Sequence, residues 1–192
     1  MTITAFTPQV NSSDSTRQIP LNHGLFATVD ARDYERLAEH NWRARYNKNG
    51  KCWYAFRTSL VEGKTLNIQM AREVLGLATG DPRQADHEHH RTLRNTRDEL
   101  RIARPDQNCM NRRTRSDNAS GFKGVSWNSR ICKAGKWRVQ IMVGGKNLLV
   151  GHFTDKVAAA EAYDDRARRE FGEFAFLNFP VPAAQSELPL AA

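Results

Sequence analysis

Cysteine is scarce in this chain. The 192 residues hold only Cys52, Cys109 and Cys132, far apart and with no Cys-x-x-Cys pair. A scattered, odd set argues against a disulfide framework and against a thiolate zinc finger, and it fits a reducing cytoplasm. Long apolar runs are missing too. No stretch is long enough to span a bilayer, and the first twenty residues lack the basic-then-apolar order of a secretory leader. A membrane partner is therefore not expected, and the glycosylation sequon at Asn118 is without consequence.

An acidic excess is also absent. The formal net charge is +8 and the isoelectric point lies near 9.8. Such a balance favours a polyanionic partner, nucleic acid first. Residues 83–115 carry nine Arg against five acids, and 121–180 carry ten Lys or Arg against six. Residues 1–82 carry ten against eight, so the excess is expected in the two later segments. Length and a 40% hydrophobic content allow one ordinary domain or two small ones with modest cores.

Residues 1–18 are polar and read as a loose end. Short β-like runs follow at 25–29 and 53–57. Between them 33–42 reads as a helix, with Tyr34, Leu37, Ala38 and Trp42 on one stripe. Asn47 to Gly50 suits a hairpin turn, and 68–77 suits a second short helix. Residues 83–113 read as strand Gln84–His87, a polar loop, strand Leu100–Ala103 and a helix opening at Pro105, where the missing N–H would be unpaired anyway. The polar run 112–120 reads as a linker, placed at 114–120 between two domains. Residues 181–192 read as a flexible tail.

Residues 121–180 read as three strands and one helix. In Lys136–Val143, Trp137, Val139, Ile141 and Val143 alternate with Lys136, Arg138, Gln140 and Met142. Alternate strand residues point to opposite faces, so the first set can bury while the second stays exposed. A sheet with one basic and amide-bearing face has the shape and chemistry for a DNA major groove. Gly144 and Gly145 supply the turn into strand Lys146–Phe153, and Thr154 or Asp155 can cap the helix behind it. Ala160, Tyr163, Ala167 and Phe171 fall on one face of that helix. Trp127 and Trp137 are expected in the core.

Phosphodiester hydrolysis needs an activated water and a neutraliser of developing charge. A neutral His meets the first need and a divalent ion on oxygen ligands the second. Asp86, His87 and Asn108 supply those types. Adjacent strand residues point apart, so Asp86 and His87 can flank one ion only at a strand end or kink.

Segment 85–111, ADHEHHRTLRNTRDELRIARPDQNCMN, resembles the ββα-metal motif of HNH homing endonucleases of the phage type. Asp86–His87, Leu100–Arg101 and Gln107–Asn108 match the motif's three pairs. The resemblance implies that His87 is the general base and that Asp86 and Asn108 hold one Mg²⁺ or Mn²⁺. The family usually has Asn where Glu99 stands, orienting the base and bracing the loop, and often a His-Arg pair where Ala71–Arg72 stands. Glu99 is expected to accept a hydrogen bond from His87. Arg91, Arg94 and Arg97 are candidates for gripping the DNA backbone.

Segment 121–180 resembles the apetala-two/ethylene-response-factor DNA-binding domain through GFKGVSW, GKWRVQI, AAAEAYDDRA and FGEFAFLNFP. That resemblance places Lys123, Ser126, Asn128, Lys136, Arg138, Gln140, Met142 and Asn147 at or near DNA contacts. Plant members often carry Arg where Ser126 and Met142 stand. The expected class is α+β. A ββα-metal (His-Me finger) nuclease domain spans 19–113 with its core at 84–113, and a small three-stranded antiparallel sheet packed on one helix spans 121–180. The expected activity is metal-dependent endonucleolytic cleavage of double-stranded DNA by a monomer, in the cytoplasm of a bacterial or phage-infected cell. A non-catalytic DNA-binding regulator built on a degenerate nuclease is the alternative.

Overall fold

The computed structural model describes residues 15–61, 63–130 and 136–180. The expected loose N-terminal end falls largely outside them, as do Cys132 and the expected tail. The class is α+β, with small sheets and short helices. The chain divides into two compact units, Met1–Pro105 and Asp106–Ala192.

The first unit includes β1 (Thr16–Pro20), a strand over residues that the sequence assigns in part to a loose end. It pairs antiparallel with β2 (Phe26–Asp30), burying Ile19, Ala27 and Val29. Helix α1 (Ala31–Ala38) follows directly. It is shorter at its C-terminal end than the stripe to Trp42 implies. The Leu37 carbonyl accepts the Trp42 indole N–H at 2.8 Å, so Trp42 reaches the core from a loop rather than from another helical turn.

A meander of β3 (Arg43–Asn47), β4 (Cys52–Val61) and β5 (Lys64–Gln69) comes next, in the order β3-β4-β5. In the β3–β4 turn, Asn47 Oδ1 accepts the Asn49 and Gly50 N–H groups. The left-handed residue is Lys51 (φ 50) rather than Gly50. The expected helix 68–77 shrinks to α2 (Met70–Val74), because pairing with β4 holds Ile68 and Gln69 extended. Met70, Ala71 and Val74 are all buried in the core with Leu37, Trp42, Ala55 and Leu100.

Strands β6 (Gln84–His87) and β8 (Leu100–Ala103) form a two-stranded antiparallel sheet, with Asp86 opposite Arg101 and His87 opposite Leu100. The loop between them holds one strand not foreseen, β7 (Arg94–Asn95), which pairs parallel to β2. Leu93, the lone apolar residue of that loop, packs against the core and anchors it. Helix α3 (Pro105–Met110) then begins, and the division between the units falls after its first residue.

In the second unit, β9 (Val125–Asn128), β10 (Lys136–Val143) and β11 (Lys146–Phe153) form an antiparallel sheet with β10 in the centre. Helix α4 (Lys156–Phe171) covers one face, capped by Asp155, whose carboxylate accepts the Ala158 N–H at 2.7 Å. Val125, Val139 and Ile141 meet Ala159, Ala160, Tyr163, Ala167 and Phe171. The alanines let helix and sheet approach closely. Gly124 is required at the contact: a Cβ there would lie 2.0 Å from the Tyr163 ring, at φ +76°. Buried Asp164 accepts the Asn178 and Phe179 N–H groups, which ties down the segment after the helix.

Candidate active site

The expected linker is not featureless. Ser120 is buried and its hydroxyl donates to the Val125 carbonyl at 2.8 Å, which joins it to the second unit.

His87 is the last residue of β6. This is the strand-end position at which neighbouring Asp86 and His87 can serve one centre. Both side chains are 5% exposed. Asp86 Oδ2 accepts from Arg101 Nε at 2.9 Å, across the β6–β8 ladder. Arg101 also lies 3.7 Å from Glu88. Burial holds the His87 imidazole below its ordinary range, opposed by a hydrogen bond to Asn95 and by the charges of Glu99 and Asp86. Desolvation disfavours the charged ring, so His87 is neutral at pH 7 and able to accept a proton. Tyr54 of β4 stands edge-on to it, with ring centroids 5.9 Å apart.

Asn95 was not legible as a site residue. It is 1% exposed, and its pairing with Val29 of β2 fixes where it stands. The available signal was Leu93, whose apolar side chain in a polar loop marks the point where the loop docks. Asn95 hydrogen-bonds the His87 ring, while Glu99 acts on it through its charge. Glu99 is 0% exposed and turns to the loop instead. Its carboxylate accepts the His89 N–H at 3.0 Å, the Arg91 N–H at 3.2 Å and Arg91 Nε at 2.8 Å, and it lies 3.3 Å from His89 Nδ1. A carboxylate in this position satisfies backbone donors that would otherwise be buried without an acceptor. Ala71 is a core residue, and the neighbouring Arg72 donates to the carbonyls of Ala78, Asp81 and Arg83.

The three arginines expected to grip DNA are engaged within the unit. Arg91 holds Glu99, and Arg94 bonds Thr96 and Asp98. Arg97 bonds Asp33 through Nε and a terminal nitrogen, each at 3.1 Å. Burial pushes the Asp33 carboxyl up, but hydrogen bonds from Arg97 and Arg36 outweigh it and hold it below its usual range. Arg97 therefore braces α1 against the loop. Asn108 lies on α3, in the second unit.

The chain is 32% identical over 155 residues to an uncharacterized HNH endonuclease of Acanthamoeba polyphaga mimivirus, an alignment covering 81% of this chain and 75% of the relative. This chain belongs to the HNH endonuclease family. No protein-family model and no solved structure matches it. No helix among the described residues is long and apolar enough to cross a membrane.

The second unit of this HNH protein carries the other candidate residues. The uncovered face of its sheet presents Ser126 and Asn128 on β9, Lys136, Arg138, Gln140 and Met142 on β10, and Asn147 on β11. Two residues not anticipated share it. His152 lies opposite Arg138, and Leu149 lies opposite Gln140 beyond a bulge. Trp127 points to the helix side, yet it is 52% exposed because it sits at the sheet edge, with its ring 4.9 Å from that of Trp137. Lys123 differs from expectation. Its Nζ donates to the Met110 carbonyl at 2.5 Å and the Arg112 carbonyl at 2.8 Å. Burial, with repulsion from Arg112, pushes its pKa down to about 8. A lysine that closes the C-terminal end of α3 is a structural residue rather than a surface contact.

Proposed function

We propose that this protein is a DNA endonuclease that hydrolyses phosphodiester bonds with one Mg²⁺ or Mn²⁺. The observation that carries the reading is His87: a buried, neutral imidazole at a strand end, beside a buried carboxylate and hydrogen-bonded to Asn95. Membership of the HNH family supports it.

The donor set suits a hard cation. Asp86 offers carboxylate oxygen, with Arg101 on Oδ2 orienting it, as partners of metal-binding carboxylates commonly do. Asn108 is the proposed second oxygen donor, an assignment that rests on the motif's spacing. An ion of this kind, when bound, neutralises charge that develops on the phosphate. His87 takes the proton of the attacking water, and Asn95 holds the ring in place. Glu99 and Arg91 keep the loop shaped around it. We further propose that the second unit docks its uncovered sheet face in the major groove, as the apetala-two-like pattern implies. Lys136, Arg138, Gln140 and Asn147 are the contacts, and phosphate contacts among them make binding salt-sensitive.

Nicking of supercoiled plasmid with Mg²⁺ or Mn²⁺ tests the reading, wild type beside His87→Ala. The variant should lose activity by about 10²- to 10⁴-fold, the usual contribution of a positioned base. Cleavage that survives His87→Ala refutes the assignment. A gel shift by wild type without any nicking selects a non-catalytic DNA-binding regulator instead.

A further inference from the structure

The β3–β4–β5 meander carries a surface that none of the assignments above uses. Residues 41–69 hold six basic residues (Arg43, Arg45, Lys48, Lys51, Arg57, Lys64) and one acid, Glu62. The rest of residues 1–82 has four basic residues and seven acids. The near-neutral average over 1–82 therefore conceals a concentrated basic element.

Register shows how that charge is presented. Ala44 and Ala55 are buried against the core and lie opposite each other. Their strand neighbours point the other way. Arg43 pairs with Phe56, which pairs with Gln69; Arg45 pairs with Tyr54; Thr58 pairs with Asn67. The outward face thus holds arginines, amides, a hydroxyl and two aromatic rings and, among the described residues, no carboxylate. The Arg45 guanidinium lies 4.9 Å from the Phe56 ring centroid and donates to Asn67 Oδ1 at 2.9 Å. These contacts orient the cation without neutralising it. Arg57 is different: it points inward and pairs with Glu73 at 2.7 Å. A groove of about 430 Å³ lies here, with Asn22, Asn41, Arg43, Arg45 and Asn67 among its walls and no acid among the described residues that line it.

The face also leads to the reaction centre. Tyr54 stands on it, across from Arg45, and is the residue whose ring meets His87. Same-face rows on a strand are spaced roughly 7 Å apart, so Arg43 and Phe56, Arg45 and Tyr54, then His87 form a short continuous track.

We propose that this sheet face is a second DNA-binding surface, one that carries the backbone of the strand leading to the scissile phosphate. Arg43 and Arg45 pair with its phosphates, the amides of Asn67 and Gln69 contact backbone oxygens, and Tyr54 marks the passage to His87. Charge complementarity selects the occupant: a face with exposed arginines, an oriented Arg45 guanidinium and no acid among its described residues suits a chain of phosphates. The proposal rests on the nuclease reading for the word "scissile", but not for DNA binding itself.

The test uses the full chain in a His87→Ala background, so that DNA is bound but not consumed. Affinity for a duplex is measured against salt concentration. Each lost phosphate contact lowers the magnitude of the log–log slope by about 1. Arg43→Gln with Arg45→Gln should lower it by about 2, while Arg17→Gln, whose side chain pairs with Glu35 elsewhere on the unit, should leave it unchanged. Arg43→Gln alone, at an exposed side chain, serves if the double variant does not fold, and should lower it by about 1. In hydroxyl-radical footprints the variants should lose protection beside the cut and keep it farther away. An unchanged slope overturns the proposal, as does a face that responds only to duplex RNA. Wild type that binds with the expected slope changes but never cuts overturns the catalytic reading and leaves this surface standing.

Discussion

Replacing Glu99 by Gln tests the reading of the loop and of His87 together. In the wild type one carboxylate oxygen accepts the His89 and Arg91 N–H groups, and the other takes Arg91 Nε at 2.8 Å. Gln keeps the first oxygen but presents an NH₂ to Arg91, which cannot accept. One charge-assisted hydrogen bond is lost, a contribution of about 1.5–3 kcal/mol. The Arg91 side chain is 55% exposed, so it can turn to water, and solvent discounts the loss to about 1–2 kcal/mol. With an m-value of about 2 kcal/mol per M, the urea midpoint should fall by about 0.5–1 M. The second readout is the acid limb of kcat/KM. Glu99 is one of the charges that favour the protonated His87 ring. Removing it lowers the His87 pKa, so the acid limb should move to lower pH. A ring-proton NMR titration reports the same shift in protein that does not cut. An unchanged midpoint, or an acid limb that moves to higher pH, refutes the account of Glu99.

Lys123→Met should leave the salt dependence of DNA binding unchanged, because Nζ is occupied by the carbonyls of Met110 and Arg112; a slope reduced by about 1 would restore Lys123 as a phosphate contact. The same pair tests the Lys123 pKa of about 8. Between about pH 8 and the ordinary value near 10.4, the unfolded chain binds more protons there than the folded one. The stability of wild type relative to Lys123→Met should therefore rise with pH across that window, and a flat difference would contradict the buried ammonium. Gly124→Ala should destabilise the protein by about 2–5 kcal/mol, from left-handed strain together with overpacking against Tyr163, measured as a drop in the denaturation midpoint; a loss below about 0.5 kcal/mol would refute the close contact.

Periodicity made the second sheet readable in detail. The alternation along Lys136–Val143 fixed which side chains bury, and the structure buries Val139 and Ile141 as that pattern requires. The strands Gln84–His87 and Leu100–Ala103 were legible with the bounds the structure gives them. Local patterning failed where tertiary contacts decided. Trp42 lies on the helical stripe but is buried through its indole bond to Leu37, which the sequence does not encode locally. Asn95 belongs to a two-residue strand held by a parallel partner sixty-six positions upstream, and no window of ordinary width sees that pairing. The family resemblance alone places Lys123 at DNA; its carbonyl partners lie at and just beyond the end of a preceding helix, which that resemblance does not reveal.

Charge summed by segment misleads here for a different physical reason. Averaging over residues 1–82 let the acids of 1–40 and 70–82 cancel the bases of 41–69. In the structure three of those acids are already paired with bases of their own. Asp33 is committed to Arg36 and Arg97, Glu35 to Arg17, and Glu73 to Arg57. The cancellation is thus arithmetical rather than physical, because a carboxylate already paired on another face contributes little to the field over this one. The expected grip residues show the converse. Arg91, Arg94 and Arg97 lie in the most Arg-rich segment, yet each is matched by its own acid. Net charge per segment ranked the loop above the meander, while pairing reverses that order: the arginines available to an incoming strand are those, such as Arg43 and Arg45, whose sheet face carries no acid among its described residues.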